Sequence, residues 1–582
     1  MSFIVDTGVQ VPVRDGSLLA TTVWRPAAGA PAPTLLMRHP YGTDITSGYG
    51  GTQSPDILAL MAAGYAVAVQ DCRGAFHSEG VFTPHVDDRN DGADTVAWLV
   101  EQEWCDGRVG TYGASYGGFV QWLTASTGVE ALKAMVPTVT SDDFYLSPWY
   151  SPGGALSLET VFSWTTMVAL MRAQFEVSGG GEDPKELMAL AEVMADPRGA
   201  MSVAPTSSQE LLERQLPWLG DVLRHPSRDE YWQRLGPVRD VSSITVPALN
   251  IGGWYDLFVT QTVRSYTTMR EGGGSVEARE GQRLVIGPWA HTPGGDTGIY
   301  RDRQFGMAGS VVGAQLTDIQ LRFLDRWLRG NEDALEGTAP VRIFVMGLDR
   351  WRDEQEWPLP DTQYTDYFLT ASGPANTAEG DGLLSSAAPE SDRQDTYLYD
   401  PRRPVPTLGG NIVALAPQDL AGPVDQRPVE ARDDVLCFTT QVLENPVEVT
   451  GPVSLTVFVS SSAVDTDFTG KLVDVFPDGR AIILCEGIQR GRYRNSLSDP
   501  ELMQPGEIYE MTLNMSVTSN VFLPGHRIRL EVSSSNFPRY DRNGNTGGVI
   551  AEETEADMVI AVNQLHHGPA HPSRLTLPVI DR

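Results

Sequence analysis

Along the first quarter of the chain, short apolar runs alternate with amphipathic stretches. Val9–Val13 and Leu18–Arg25 read as two strands joined at the turn signal Arg14-Asp15-Gly16. Thr34–His39, Tyr65–Gln70, Arg108–Tyr112 and Leu132–Pro137 are short and apolar enough for buried strands. Between them, Ile57–Ala63 is a helix stopped by Gly64, and Asp91–Glu103 is a helix with Ala93, Val96, Ala97, Leu99 and Val100 on its inner side. Strands alternating with helices predict a mostly parallel sheet covered on both faces.

The pattern changes twice. Residues 144–240 carry helix-length apolar stretches, notably Leu158–Phe175 and Pro184–Met194, without a succession of strands. They read as an inserted helical cap. Strands return at Val246–Ile251 and Arg283–Gly287, with helices over Val259–Met269 and Val311–Leu328. Beyond Val341 polar and apolar residues alternate, as in Arg342–Met346, Ser454–Val459, Lys471–Phe476 and Arg527–Val532, between Gly, Pro and Asp turns. That texture predicts an antiparallel β-sandwich, with Ala371–Asp392 as a long loop or loosely paired segment. The domains expected are residues 1–143 and 241–345 (a split domain built on the mostly parallel sheet), 144–240 (the helical insertion) and 346–582 (the β domain).

The 582 residues exceed one ordinary core. A formal charge of -32 leaves no basic stripe for phosphates, which argues against nucleic acid and anionic membrane surfaces. Cys72, Cys105, Cys437 and Cys485 are dispersed and lack ligand spacing, so they read as free buried thiols. The N-terminal residues show no secretory pattern, and nowhere do eighteen apolar residues run uninterrupted. A cytoplasmic protein is the expectation.

Chemistry concentrates at Gly113-Ala114-Ser115-Tyr116-Gly117-Gly118, between a strand and a helix. Such a turn lifts a serine hydroxyl above the sheet as a nucleophile. Asp256 follows the strand Val246–Ile251 in Gly252-Gly253-Trp254-Tyr255-Asp256, and His291 follows Arg283–Gly287 in Pro288-Trp289-Ala290-His291. The chain order Ser115, Asp256, His291 is that of an α/β-hydrolase triad, with His291 as base and Asp256 as its orienter. The Tyr116 N–H is one expected oxyanion donor. A second should come from His39-Pro40-Tyr41-Gly42, where the Tyr41 hydroxyl and a backbone amide both qualify. His566, His567 and His571 lie without an acidic or cysteine cluster, His39 adjoins a strand end, His77 and His85 flank a Gly-rich loop, and His225 and His526 read as surface or turn residues, so no metal or cofactor is expected.

Longer motifs carry a resemblance. Asp71-Cys72-Arg73-Gly74, His85-Val86-Asp87-Asp88, Gly113–Gly118, Ser147-Pro148-Trp149-Tyr150, Gly253–Asp256, Gly287-Pro288-Trp289, Ser460–Phe468 and Ser535–Pro538 span nearly the whole chain. On these the chain resembles the bacterial cocaine esterases, within the serine hydrolases that include X-prolyl dipeptidyl aminopeptidases and α-amino acid ester hydrolases. The resemblance implies an α/β-hydrolase domain interrupted by a helical domain and followed by a jelly-roll-like β domain. It implies the triad Ser115, His291 and Asp256, and it assigns the second oxyanion donor to the Tyr41 hydroxyl. It further implies an aromatic acyl pocket of Trp149, Trp164 and Phe258 with Gln53 nearby, and a homodimer.

Departures from the cocaine-hydrolysing pattern fall in Pro40–Thr43, in the longer loop His291–Thr297, and in Asn411–Leu415, where Val413 stands in a pocket-closing stretch. The expected function is a serine carboxylesterase that cleaves small-molecule esters with a bulky or aromatic acyl group, benzoyl esters such as cocaine among them, through an acyl-enzyme. Two alternatives stand beside it. One is an X-prolyl or α-amino acyl peptidase or ester hydrolase, which needs a carboxylate for the substrate amine. The other is a non-enzymatic binding protein using the β domain.

Overall fold

The computed structural model describes residues 2–27, 29–43, 53–181, 184–236, 240–291, 294–414 and 420–582. Leu415 and Thr292-Pro293, which belong to two of the divergent stretches, lie outside the described residues. A first sheet contains β1 (Phe3–Pro12), β2 (Leu18–Pro26), β3 (Ala32–His39), β4 (Ala66–Asp71), β5 (Cys105–Ala114), β6 (Leu132–Thr138), β7 (Leu249–Tyr255), β8 (Arg283–Ala290), β9 (Val341–Val345) and β10 (Arg350–Glu354). Their order is β1-β2-β4-β3-β5-β6-β7-β8-β9-β10. Pairing is parallel from β4 through β9 and antiparallel at β1/β2, β2/β4 and β9/β10. Strands covered on both faces must be apolar along their whole length, and β4 and β7 are buried at every residue.

Helices α1 (Ile57–Ala62), α2 (Asp88–Val100) and α3 (Tyr116–Ala125) connect the early strands. All ten residues of α3 are buried, because it packs on β3, β5, β6 and α2 and shares an apolar cluster with the helical insertion. That insertion, between β6 and β7, holds α4 (Leu158–Ser178), α5 (Pro184–Ala195), α6 (Pro197–Met201), α7 (Glu210–Gln215), α8 (Trp218–Arg224) and α9 (Glu230–Leu235). Three more, α10 (Val259–Gly272), α11 (Val276–Glu280) and α12 (Leu316–Leu328), complete the cover. No described helix is long and apolar enough to cross a membrane.

Among the described residues eleven strands, β11–β21 (from Thr362–Ala371 to Arg574–Ile580), form the C-terminal β domain, antiparallel except where β12 (Gly382–Ser385) meets β14 (Leu436–Thr439). One apolar cluster runs from Trp254, Tyr255 and Phe344 of the first sheet into Leu369, Leu455, Phe468 and Leu530 of the β domain.

Several sequence expectations shift. The run Arg342–Met346, grouped by its alternation with the later strands, contributes β9 to the first sheet, where it pairs with β8. The first sheet thus extends through Glu354. The strand expected from Val246 starts at Leu249, since Pro247 has no N–H to give a ladder. The helix expected from Val311 starts at Leu316, after turns that end at Gln315 in the left-handed region (φ 57). Of the two readings of Ala371–Asp392, the paired one holds for Gly382–Ser385, which meets β11.

Candidate active site

β5 delivers Ser115 directly into α3. The serine has φ 56 and ψ -121, a conformation disfavoured for an L-residue and held here by its surroundings. Its N–H donates to the Thr138 carbonyl (3.0 Å), and its own carbonyl accepts from Thr140 Oγ1 (2.9 Å). Gly113 takes φ 139, open only to glycine, and a Cβ on Gly118 would lie 2.4 Å from Thr140 Cγ2. Small neighbours are therefore a steric requirement of the turn.

The ends of β7 and β8 bring the partners. His291 Nε2 lies 3.1 Å from Ser115 Oγ, and His291 Nδ1 lies 2.6 Å from Asp256 Oδ2. Asp256 is fully buried and the His291 side chain is 13% exposed. An ionised carboxylate only accepts, so Nδ1 carries the proton and Nε2 turns its lone pair to the serine. The second oxygen, Oδ1, accepts from the Phe258 N–H (2.7 Å), which fixes the carboxylate's rotation. Asn411 Nδ2 donates to the carbonyls of Asp256 (2.8 Å) and Trp254 (3.2 Å). The turn bearing the acid is thus held from the β domain.

Around this chain of hydrogen bonds lies an aromatic cluster. Trp164 Nε1 donates to the Tyr41 hydroxyl (3.0 Å), joining the insertion to the loop after β3. The rings of Trp149, Trp164 and Trp218 lie 5.6 Å apart pairwise. Trp164 stacks on Tyr116 at 6.0 Å, and Phe258 meets His291 edge-on at 5.3 Å. Tyr116 donates its own hydroxyl to Asp88 Oδ2 (2.6 Å), and burial holds that phenol well above its ordinary pKa. Val413 is buried, with its N–H donating to Glu159 Oε2 (3.0 Å). Gln53 is buried too, and its carbonyl accepts from Gln320 of α12 (3.0 Å).

Burial lowers two histidines beside the site. His39, stacked on Tyr41 at 5.7 Å, is pushed down to about 4. His85, stacked on Phe144 at 3.7 Å and on Tyr116 at 5.1 Å, is pushed down to about 3. Sequence reasoning missed Trp218, Glu159 and the role of Asn411. Each meets a partner across more than fifty residues of chain, and no local pattern marks such a contact.

Residues 15–293 match the family model of the X-Pro dipeptidyl-peptidase (S15 family), and residues 333–576 match that of the X-Pro dipeptidyl-peptidase C-terminal non-catalytic domain. The cocaine esterase of Rhodococcus sp. (strain MB1 Bresler) is 50% identical over 582 residues, covering 100% of this chain and 99% of the relative. The chain belongs to the S15 family. Solved structures of like architecture include an aminopeptidase from the marine sediment archaeon Thaumarchaeota archaeon, with TM-score 0.84 and 25% identity over 100% of this chain and 97% of its own. An α-amino acid ester hydrolase gives TM-score 0.80 at 25% identity, over 99% of this chain and 96% of its own. In this S15 protein the two matched segments meet at Asn411, which lies in the segment described as non-catalytic yet touches the turn of Asp256.

Proposed function

We propose that this S15 serine esterase cleaves esters with a bulky or aromatic acyl group, benzoyl esters such as cocaine among them, through an acyl-enzyme at Ser115. The hydrogen-bonded chain Ser115–His291–Asp256, at 3.1 and 2.6 Å, carries the reading. His291 Nε2 takes the serine proton as Oγ attacks the ester carbonyl. Asp256 holds the tautomer and stabilises the imidazolium that forms. The Tyr116 N–H and the Tyr41 hydroxyl receive the oxyanion. A phenol that accepts from Trp164 is polarised toward donation, which suits Tyr41 to that task. His291 then protonates the departing alcohol, and water repeats the sequence on the acyl-enzyme.

The acyl group would rest among Trp149, Trp164 and Phe258, with Val413 as a wall from the β domain and Gln53 nearby. Flat aromatic walls favour a flat acyl group over a short aliphatic one. An amino-acyl peptidase would need a carboxylate for the substrate's ammonium. The buried Glu159 gives its two oxygens to the amides of Val413 and Ala414 and to Ser163, which favours the esterase reading. Four buried free cysteines fit a reducing cytoplasm, and the family resemblance supports a homodimer.

A fluorophosphonate probe tests the nucleophile: it should label the folded protein and leave Ser115→Ala unlabelled. Labelling that survives Ser115→Ala would place the nucleophile elsewhere. A kcat/KM panel of benzoyl, butyryl and acetyl esters beside prolyl and amino-acyl amides tests the substrate. Preference for an amide with a free α-amine would overturn the esterase reading.

A further inference from the structure

Segment 411–414 reaches from the β domain toward the ester site, and each of its ends meets a buried carboxylate. At one end the Asn411 N–H donates to Glu486 Oε1 (3.2 Å). Arg539 Nη1 donates to the Asn411 carbonyl (2.7 Å) and to the same Glu486 oxygen (2.5 Å). At the other end the N–H of Val413 donates to Glu159 Oε2 and that of Ala414 to Glu159 Oε1, both at 3.0 Å. Glu159 stands in the first turn of α4, is 1% exposed, and accepts at Oε1 from Ser163 Oγ (3.1 Å). Successive amides closing on one carboxylate make an anion-binding nest, and Ala414 takes the left-handed conformation (φ 49) that such a nest uses.

This arrangement is more specific than a packing contact. Burying a carboxylate is costly unless charge-assisted hydrogen bonds compensate for the lost water. Here two of the donors are amides of the segment itself, beside the Ser163 hydroxyl, so the position of 413–414 is tied to the Glu159 carboxylate. The same α4 carries Trp164, and the same segment reaches the Asp256 turn through Asn411. Val413 is thereby fixed between the helix of the acyl pocket and the turn of the triad acid. We infer that Glu159 is a positioning residue that holds Val413 against the acyl group, and so sets which acyl groups the enzyme accepts. The inference rests on the ester-cleaving reading of Ser115 given above.

Glu159→Gln is the discriminating variant. It keeps shape, but its NH2 would face an amide N–H, so one of the two backbone bonds is lost. The measurements are kcat and KM for p-nitrophenyl benzoate and p-nitrophenyl acetate, in wild type, Glu159→Gln, Val413→Ala and the double variant. Hydrogen–deuterium exchange of the peptide spanning 411–414 follows the nest directly. Glu159→Gln should change the benzoate-to-acetate ratio of kcat/KM by about tenfold, chiefly through KM for benzoate, the scale of one misfitted contact in an apolar pocket. Exchange at 413–414 should quicken. Val413→Ala should move the ratio in the wild-type background and much less beside Glu159→Gln, because an unheld side chain no longer discriminates.

Unchanged exchange would show that no nest exists and would overturn the inference. Faster exchange with an unchanged ratio would overturn the role in specificity, as would an equal fall in kcat for both esters. Should the glutamine variant not fold, Glu159→Asp, which withdraws the charge by one methylene, is read in the same way. A wild type without preference for benzoate would count against the proposed acyl group alone. The change in ratio and in exchange would still decide the role of Glu159.

Discussion

Tyr41 shows how much one hydroxyl can be asked to do. It accepts from the Trp164 indole at 3.0 Å, so its own proton is aimed by a partner on a different domain. If that proton meets the oxyanion, Tyr41→Phe should lower kcat by about 10²–10³ with little change in KM, as loss of one preorganised donor does. Steady-state kinetics on a benzoyl ester check this, and a fall confined to KM would assign Tyr41 to substrate binding instead. That Ser115, Asp256 and His291 come together was legible in the sequence, since each follows its own strand and the strand ends are marked by glycine-rich turns. Asn411 and Glu159 were not legible as partners of the site. Asn411 meets Asp256 across 155 positions and Glu159 meets Val413 across 254. Only the packing of three domains brings them together.

At the scale of elements, the turn from β5 into α3 depends on where side chains are missing. A Cβ on Gly118 would come within 2.4–2.7 Å of three Thr140 atoms, and Thr140 Oγ1 holds the Ser115 carbonyl at 2.9 Å. A Cβ on Gly117 would meet the Arg38 carbonyl at 3.3 Å, a contact that a small shift relieves. Gly118→Ala should therefore cost about 1–3 kcal/mol, the range for overpacking, and lower kcat by displacing Ser115. Gly117→Ala should be milder on both counts. Thermal melts and esterase rates for the pair check the order, and equal effects would refute the steric account. Element boundaries were less legible than the elements. Alternation in Arg342–Met346 matches an antiparallel sandwich as well as the edge of a mixed sheet, and only its pairing with β8 decides. Likewise the turns over 311–315 are as apolar as the helix they precede.

Across the whole molecule, the first sheet and the β domain share a core. Trp254, Tyr255 and Phe344 pack in one cluster with Leu369, Leu455 and Phe468, and the Tyr255 hydroxyl donates to the Ile483 carbonyl (3.3 Å). A chain ended after Glu354 would expose that face and lose Asn411, so it should be insoluble or lack a cooperative melt and esterase activity. A soluble, active fragment would show the domains to be independent. Stability against pH is likewise a property of the whole fold, and opposing groups have to be separated to read it. His39 and His85 are neutral in the fold, with values near 4 and 3 against an ordinary 6.5. Below pH 6.5 the unfolded chain binds protons that the folded one refuses, so their contribution is present above pH 6.5 and lost as pH falls toward those values. At pH 5 each costs about 2 kcal/mol by this linkage. Glu531 works the other way: burial beside Glu430 raises it to about 8, so its contribution is full below the ordinary carboxylate value and lost as pH rises through 8. The melting temperature of the wild type alone mixes the two. A difference between variants separates them. His85→Phe keeps an aromatic ring between Phe144 and Tyr116 but cannot take a proton, and it leaves Glu531 untouched. Its melting temperature relative to wild type should rise steadily from pH 7 to pH 5, and a difference independent of pH would mean that His85 does not resist protonation in the fold.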